Sequence, residues 1–94
     1  MRRAAKLDDN QAEIVNALWR VGATVQSLAA VGNGVPDLLV GFRGRLLLLE
    51  VKDGSKAPSR RRLTPAQEVW HLAWRDVPLH VVQTPEEAIH AVTQ

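Results

Sequence analysis

Residues 34–52 read GVPDLLVGFRGRLLLLEVK and constrain the fold more than any other stretch of the chain. Two apolar runs flank an Arg-Gly pair, as in a β-hairpin, yet Asp37, Glu50 and Lys52 put charges where a core strand carries none. Pro36 favours an extended conformation at Val35 and opens a first strand over 37–42, and a second strand runs over 45–52. If the turn holds residues 43 and 44, or all four of 42–45, residues whose numbers sum to 87 face each other. Asp37 then lies opposite Glu50, and Lys52, two positions on, points to the same face. A three-residue turn without a compensating bulge would send the carboxylates to opposite faces and leave them as surface charges.

The flanking sequence supplies the rest of a single domain over residues 1–94, close to the lower size at which a chain buries an adequate core unaided. There is no cysteine, so neither disulfides nor a thiolate zinc site staples the fold. No apolar run reaches the roughly 20 residues of a membrane span. The basic start leads into a polar helix instead of a signal-peptide apolar region, so the chain is expected to be cytoplasmic.

Arg2, Arg3 and Lys6 form a flexible basic arm over residues 1–7. Asp8, Asp9 and Asn10 offer helix caps, and Ile14, Ala17, Leu18 and Val21 recur at helical spacing until Gly22. Glu13 follows Asn10 by three residues, which suits a capping box, and it also lies beside the apolar stripe where it could serve a site. A strand is predicted over 24–31, and Gly32, Asn33 and Gly34 make a loop before the hairpin.

Beyond the hairpin, residues 53–63 read as a basic loop. Between 43 and 62 stand seven basic residues, Arg43, Arg45, Lys52, Lys56, Arg60, Arg61 and Arg62, against Glu50 and Asp53. Such a surplus is suited to a polyanion even though the net charge is only +2. Thr64-Pro65-Ala66-Gln67 is a helix start with a Thr cap, Pro at the first position and Gln closing a capping box. The helix is predicted to run to about Asp76, with Val69, Trp70, Ala73, Trp74 and Val77 as a buried stripe and Gln67, His71 and Arg75 on a polar face. The tryptophans suit core packing better than base stacking. Pro78 separates this helix from a strand over 79–83, and Thr84-Pro85 caps a last helix with Ala88, Ile89 and Val92 inward. The class is α/β (α+β), with the order helix, three strands, helix, strand, helix. The first three strands form an antiparallel meander and the last, after a crossover helix, pairs parallel, giving a mixed sheet flanked by helices.

Two carboxylates about 5 Å apart repel by roughly 3 kcal/mol at an effective dielectric near 20. A divalent cation relieves that more completely than Lys52 does. Hard oxygen ligands without cysteine favour Mg²⁺ or Mn²⁺, with Asp37, Glu50 and the backbone carbonyl of Val51 as candidate ligands.

Pro36-Asp37, twelve intervening residues and then Glu50-Val51-Lys52 resemble the PD-(D/E)XK nuclease motif. The ordered set of GVPDLLV, EVKDGSK, LTPAQ before an apolar helix, a short strand and an EEA helix is similar to the VRR-NUC family, from about Glu13 to the C-terminus. The resemblance implies a restriction-endonuclease-like core and Mg²⁺- or Mn²⁺-dependent cleavage of DNA, with Asp37, Glu50 and Lys52 as catalytic residues. It also implies that Glu13 supports the metal, through water where it does not reach it, and that Gln67 orients Lys52 or a phosphate, a role that competes with its capping box. Arg43, Arg45, Lys56, Arg60, Arg61 and Arg62 are then candidate DNA contacts, as is His71, which otherwise reads as a surface histidine. Stand-alone members this short resemble homodimeric virus-type resolvases of four-way (Holliday) junctions, implying branched DNA as partner, a homodimer, no small-molecule cofactor and a bacterial or phage-infected cell. A flap- or end-directed nuclease and a non-catalytic DNA-binding module remain the alternatives.

Overall fold

A computed structural model describes residues 9–94. The basic arm, and Asp8 with it, lie outside the described residues. The elements are α1 (Gln11–Arg20), β1 (Thr24–Ser27), β2 (Leu38–Phe42), β3 (Arg45–Val51), α2 (Pro58–Arg61), α3 (Pro65–Ala73), β4 (Leu79–Val82) and α4 (Pro85–Thr93). The strands form one sheet in the order β1-β2-β3-β4, antiparallel through the meander and parallel between β3 and β4. No helix among the described residues is long and apolar enough to cross a membrane.

The hairpin turn holds two residues. Arg43 and Gly44 both have positive φ, 49° and 80°, and Phe42 pairs with Arg45 across them. A turn of this kind matches the right-handed twist of its strands and fixes the register. Leu38 pairs with Leu49 and Val40 with Leu47, so the residue numbers do sum to 87.

Alternation along the strands then sorts the side chains. Leu38, Val40 and Phe42 of β2, with Leu47, Leu49 and Val51 of β3, are buried on one face under Ile14 and Leu18 of α1 and Ala88 and Val92 of α4. Leu39, Leu48, Glu50 and Lys52 belong to the other face, the one that α3 approaches.

Four local expectations are corrected. Strand β1 stops at Ser27 instead of continuing to 31, because Val31 N–H turns back to the Leu28 carbonyl. The basic stretch contains the short helix α2, started by Pro58. Asn10 occupies the N-cap of α1, but its side chain makes no capping bond, so no capping box joins it to Glu13. The stripe on α3 is not buried: no residue of that helix is, and Val69 and Trp74 are 71% and 48% exposed. The helix turns Gln67 and His71 toward Lys52 and Glu50 of the sheet and leaves Val69 and Leu72 in solvent. Trp70 and Trp74 stack on each other instead, at 4.8 Å between centroids and 7° between planes. They line an apolar groove of about 270 Å³ with Leu39, Leu46, Leu48 and Val77.

Candidate active site

The end of the hairpin opposite its turn gathers the charges. Continuing the observed register puts Asp37 across from Glu50. Asp37 is held from both sides: its carbonyl accepts from Leu28 N–H at 2.7 Å, and its Oδ2 accepts from Val51 N–H at 2.7 Å. The second of these bonds stands just past the end of β2 at Leu38. Asp37 is half-buried, whereas Glu50 is 1% exposed and Lys52 7%. Burying two ionisable groups next to each other is costly unless each is hydrogen-bonded.

Helix α3 meets that requirement. Thr64 Oγ1 accepts from Gln67 N–H at 3.2 Å, and Gln67 Oε1 accepts from Thr64 N–H at 2.9 Å, so the capping box forms. The same Oε1 accepts from Lys52 Nζ at 2.8 Å, and Gln67 Nε2 donates to Glu50 Oε2 at 3.2 Å. One Gln67 side chain thus closes the helix cap and touches both Lys52 and Glu50. His71, one turn further, brings Nε2 to 3.4 Å from Glu50 Oε1. Burial of its ring, and secondarily the Lys52 ammonium, hold the imidazole pKa below the usual histidine value.

Two supports were not visible in the sequence. Asn10 Nδ2 donates to the carbonyls of Lys52 at 3.1 Å and Gln83 at 2.7 Å, tying the start of α1 to the ends of β3 and β4. Gly34, at φ 82°, lies so close to the first turn of α3 that a Cβ there would collide with the Ala66 carbonyl. An Asn before an apolar helix reads as a cap, and a Gly in a Gly-Asn-Gly run reads as a loop. Neither residue type reports a partner dozens of residues away. After Lys52 the chain is turned by Asp53, whose Oδ1 accepts from the Ser55 hydroxyl at 2.7 Å and the Ser55 N–H at 2.9 Å. Those bonds lower its pKa.

The other expected residues are scattered. Glu13 is exposed on α1, the helix that covers the opposite face of the sheet. Arg45 points to that face too, and its guanidinium donates to the carbonyls of Val92 and Gln94 at the end of α4, a helix-terminal role. Arg43 sits in the turn, over the Phe42 ring at 4.9 Å, and Glu50 lies five residues beyond Arg45 along β3, about 17 Å at the rise of a strand. Lys56 pairs with Asp9 at 3.0 Å. Arg60 and Arg62 are exposed around α2, and Arg61, half-buried between them, has an Nε without a hydrogen-bond partner. These three arginines precede Thr64, the N-cap of α3, by two to four residues.

Among the described residues no three His, Cys, Asp or Glu side chains converge as a metal cage. The donors that do face each other, one half-exposed carboxylate and one buried one, fit a hard divalent cation that keeps most of its shell as water. With an ammonium held by a neutral amide on the same face, the arrangement can bind an anionic ester and activate water against it.

No protein-family model matches the chain, and no curated protein matches its sequence. A solved structure described as a "VRR_NUC domain" is similar, with 26% sequence identity, a TM-score of 0.63, and coverage of 93% of this chain and 98% of that one. The mixed four-stranded sheet with flanking helices, together with this neighbour, makes the fold a restriction-endonuclease-like core.

Proposed function

The chain belongs to the VRR-NUC family of nucleases, and from that premise we propose that it is a metal-dependent, structure-specific DNA endonuclease that resolves four-way junctions as a homodimer. The observation that carries the reading is Gln67, which bonds the Lys52 ammonium through its oxygen and the Glu50 carboxylate through its nitrogen. An amide placed in this way holds a cation and an anion on the same face of the sheet.

Asp37 and Glu50 would hold Mg²⁺ or Mn²⁺, with the Val51 carbonyl as a third donor. The ion would supply Lewis acidity toward a phosphodiester and a more acidic bound water. Any part that Glu13, exposed on α1, takes in holding the ion would be through water. Lys52, fixed by Gln67, places its ammonium where negative charge grows on the phosphoryl oxygens as water attacks. Arg60, Arg61 and Arg62 hold the flanking phosphates.

A homodimer accords with the apolar side chains that the protomer leaves in solvent. Leu72 of α3 is 65% exposed, close in sequence to Val69 and Trp74, and such surface marks a protein contact. Two active sites related by a two-fold axis suit paired nicks in a branched substrate of the same symmetry.

The test is cleavage of a mobile four-way junction, a flap and a linear duplex by the same protein in Mn²⁺, with its mass measured by light scattering. Paired nicks in the junction from a dimer are expected. Products from the flap alone would replace junction resolution with flap cleavage, and junction binding without cleavage in any metal would leave a non-catalytic module.

A further inference from the structure

Glu50 is contacted twice from one helix. Gln67 Nε2 reaches Oε2 at 3.2 Å, and His71 Nε2 reaches Oε1 at 3.4 Å. The two residues stand at i and i+4 of α3 and so share a face. The terminal torsion of a glutamate is soft, with a broad and roughly two-fold profile. A single contact therefore fixes where a carboxylate lies but not how its plane is turned, whereas one contact to each oxygen, from a rigid helix, fixes the plane as well.

The geometry points to His71 as the second of these holds: we propose that it is a positioning residue that sets the plane of the Glu50 carboxylate for a divalent cation. This rests on the metal-dependent reading above and assigns His71 a place inside the site, where its sequence context reads as a surface histidine or a DNA contact.

Three features suit the ring to that task. Its side chain is only 15% exposed, so it does not swing in solvent. Trp70 meets it edge to face, with centroids 6.4 Å apart and planes at 73°, and Trp70 is itself stacked on Trp74. The Lys52 ammonium bonds Gln67, so the amide answers to two charged partners while the contact of His71 is with Glu50. With its proton on Nε2 the ring donates toward Oε1, at the long edge of the hydrogen-bonding range.

The test compares the unmutated protein with His71→Ala and His71→Gln, the latter because a glutamine amide nitrogen reaches about as far as Nε2. Mn²⁺ binding to the DNA-free protein is measured by calorimetry, and junction binding is measured in EDTA. His71→Ala should weaken Mn²⁺ binding about 10-fold, the lower end for residues that orient a metal ligand. His71→Gln should restore it, and junction affinity in EDTA should be unchanged in both. Mn²⁺ binding by His71→Ala equal to that of the unmutated protein overturns the proposal. So does failure of His71→Gln to restore binding, which would make the ring itself a ligand, and so does a loss of junction affinity in EDTA, which would make it a DNA contact. If the unmutated protein binds no Mn²⁺ and cuts no DNA, the nuclease reading falls and this role with it; if it does both while His71→Ala is silent, only the positioning role falls.

Discussion

Lys52 Nζ and Thr64 N–H both donate to one atom, Gln67 Oε1, at 2.8 and 2.9 Å. The start of α3 and the candidate catalytic ammonium are thus joined through a single side chain, and two substitutions separate the shared functions. Thr64→Ala removes a capping acceptor and should cost about 1 kcal/mol of stability while retaining most cleavage. Gln67→Ala should cost a similar amount and also lower the cleavage rate by about 100-fold, the low end for loss of an activating hydrogen bond. Urea unfolding and single-turnover cleavage of a four-way junction, run on both variants, check the contrast. Equal losses of activity would reduce Gln67 to a helix cap.

Asp37 has two tasks that an isostere divides. Asparagine keeps an oxygen for Val51 N–H and loses the charge, so Asp37→Asn should fold with near-normal stability, cut nothing and bind Mn²⁺ poorly. Asp37→Ala leaves that amide without its partner, and a further loss of about 1 to 3 kcal/mol is expected. Thermal unfolding and Mn²⁺ calorimetry distinguish the two.

Gly34→Ala should be more damaging than its loop position implies. A side chain there meets both a φ of 82° and the Ala66 carbonyl in the first turn of α3. The expected loss is about 2 to 4 kcal/mol, from the left-handed backbone and the displaced helix together. Cleavage should fall too, since the displaced turn carries Gln67. Gly32→Ala, also at positive φ but with open space around it, should show only the backbone part in the same urea titration.

The His71 imidazole should titrate below 6.5 in the metal-free protein, because burial and then Lys52 disfavour its charged form. The unfolded chain then takes up this proton at a higher pH than the folded one. Folding therefore weakens as the pH drops below 6.5, and the loss levels off once the pH is under the folded midpoint. An NMR titration of the ring protons checks it, and Lys52→Ala should move the midpoint up. A midpoint above 6.5 would show that the Glu50 carboxylate outweighs burial.

What was legible in the sequence was local or periodic. Arg43-Gly44 between two apolar runs placed the hairpin, and the structure's two-residue turn selects, among the turn lengths the sequence left open, the register that puts Asp37 opposite Glu50. Thr64-Pro65-Ala66-Gln67 specified the start of α3, and the crossover through that helix specified the parallel pairing of β4. What was not legible depended on partners distant in the chain. Nothing near Arg45 announces that its guanidinium caps α4, 47 positions on, instead of meeting DNA. The Val69 to Val77 stripe has core spacing, but spacing cannot say that α3 meets the sheet through Gln67 and His71, on Lys52 and Glu50, instead. His71 looked like a surface histidine because only the folded chain brings it to Glu50.

The central claim is that Asp37 and Glu50 form one cation site beside Lys52, and anomalous diffraction from a crystal soaked in Mn²⁺ tests it most directly. The expected result is a Mn²⁺ peak bound by both carboxylates, with Gln67 still bonded to Lys52. A peak elsewhere, or an empty hairpin end at a Mn²⁺ concentration that supports cleavage, would contradict it.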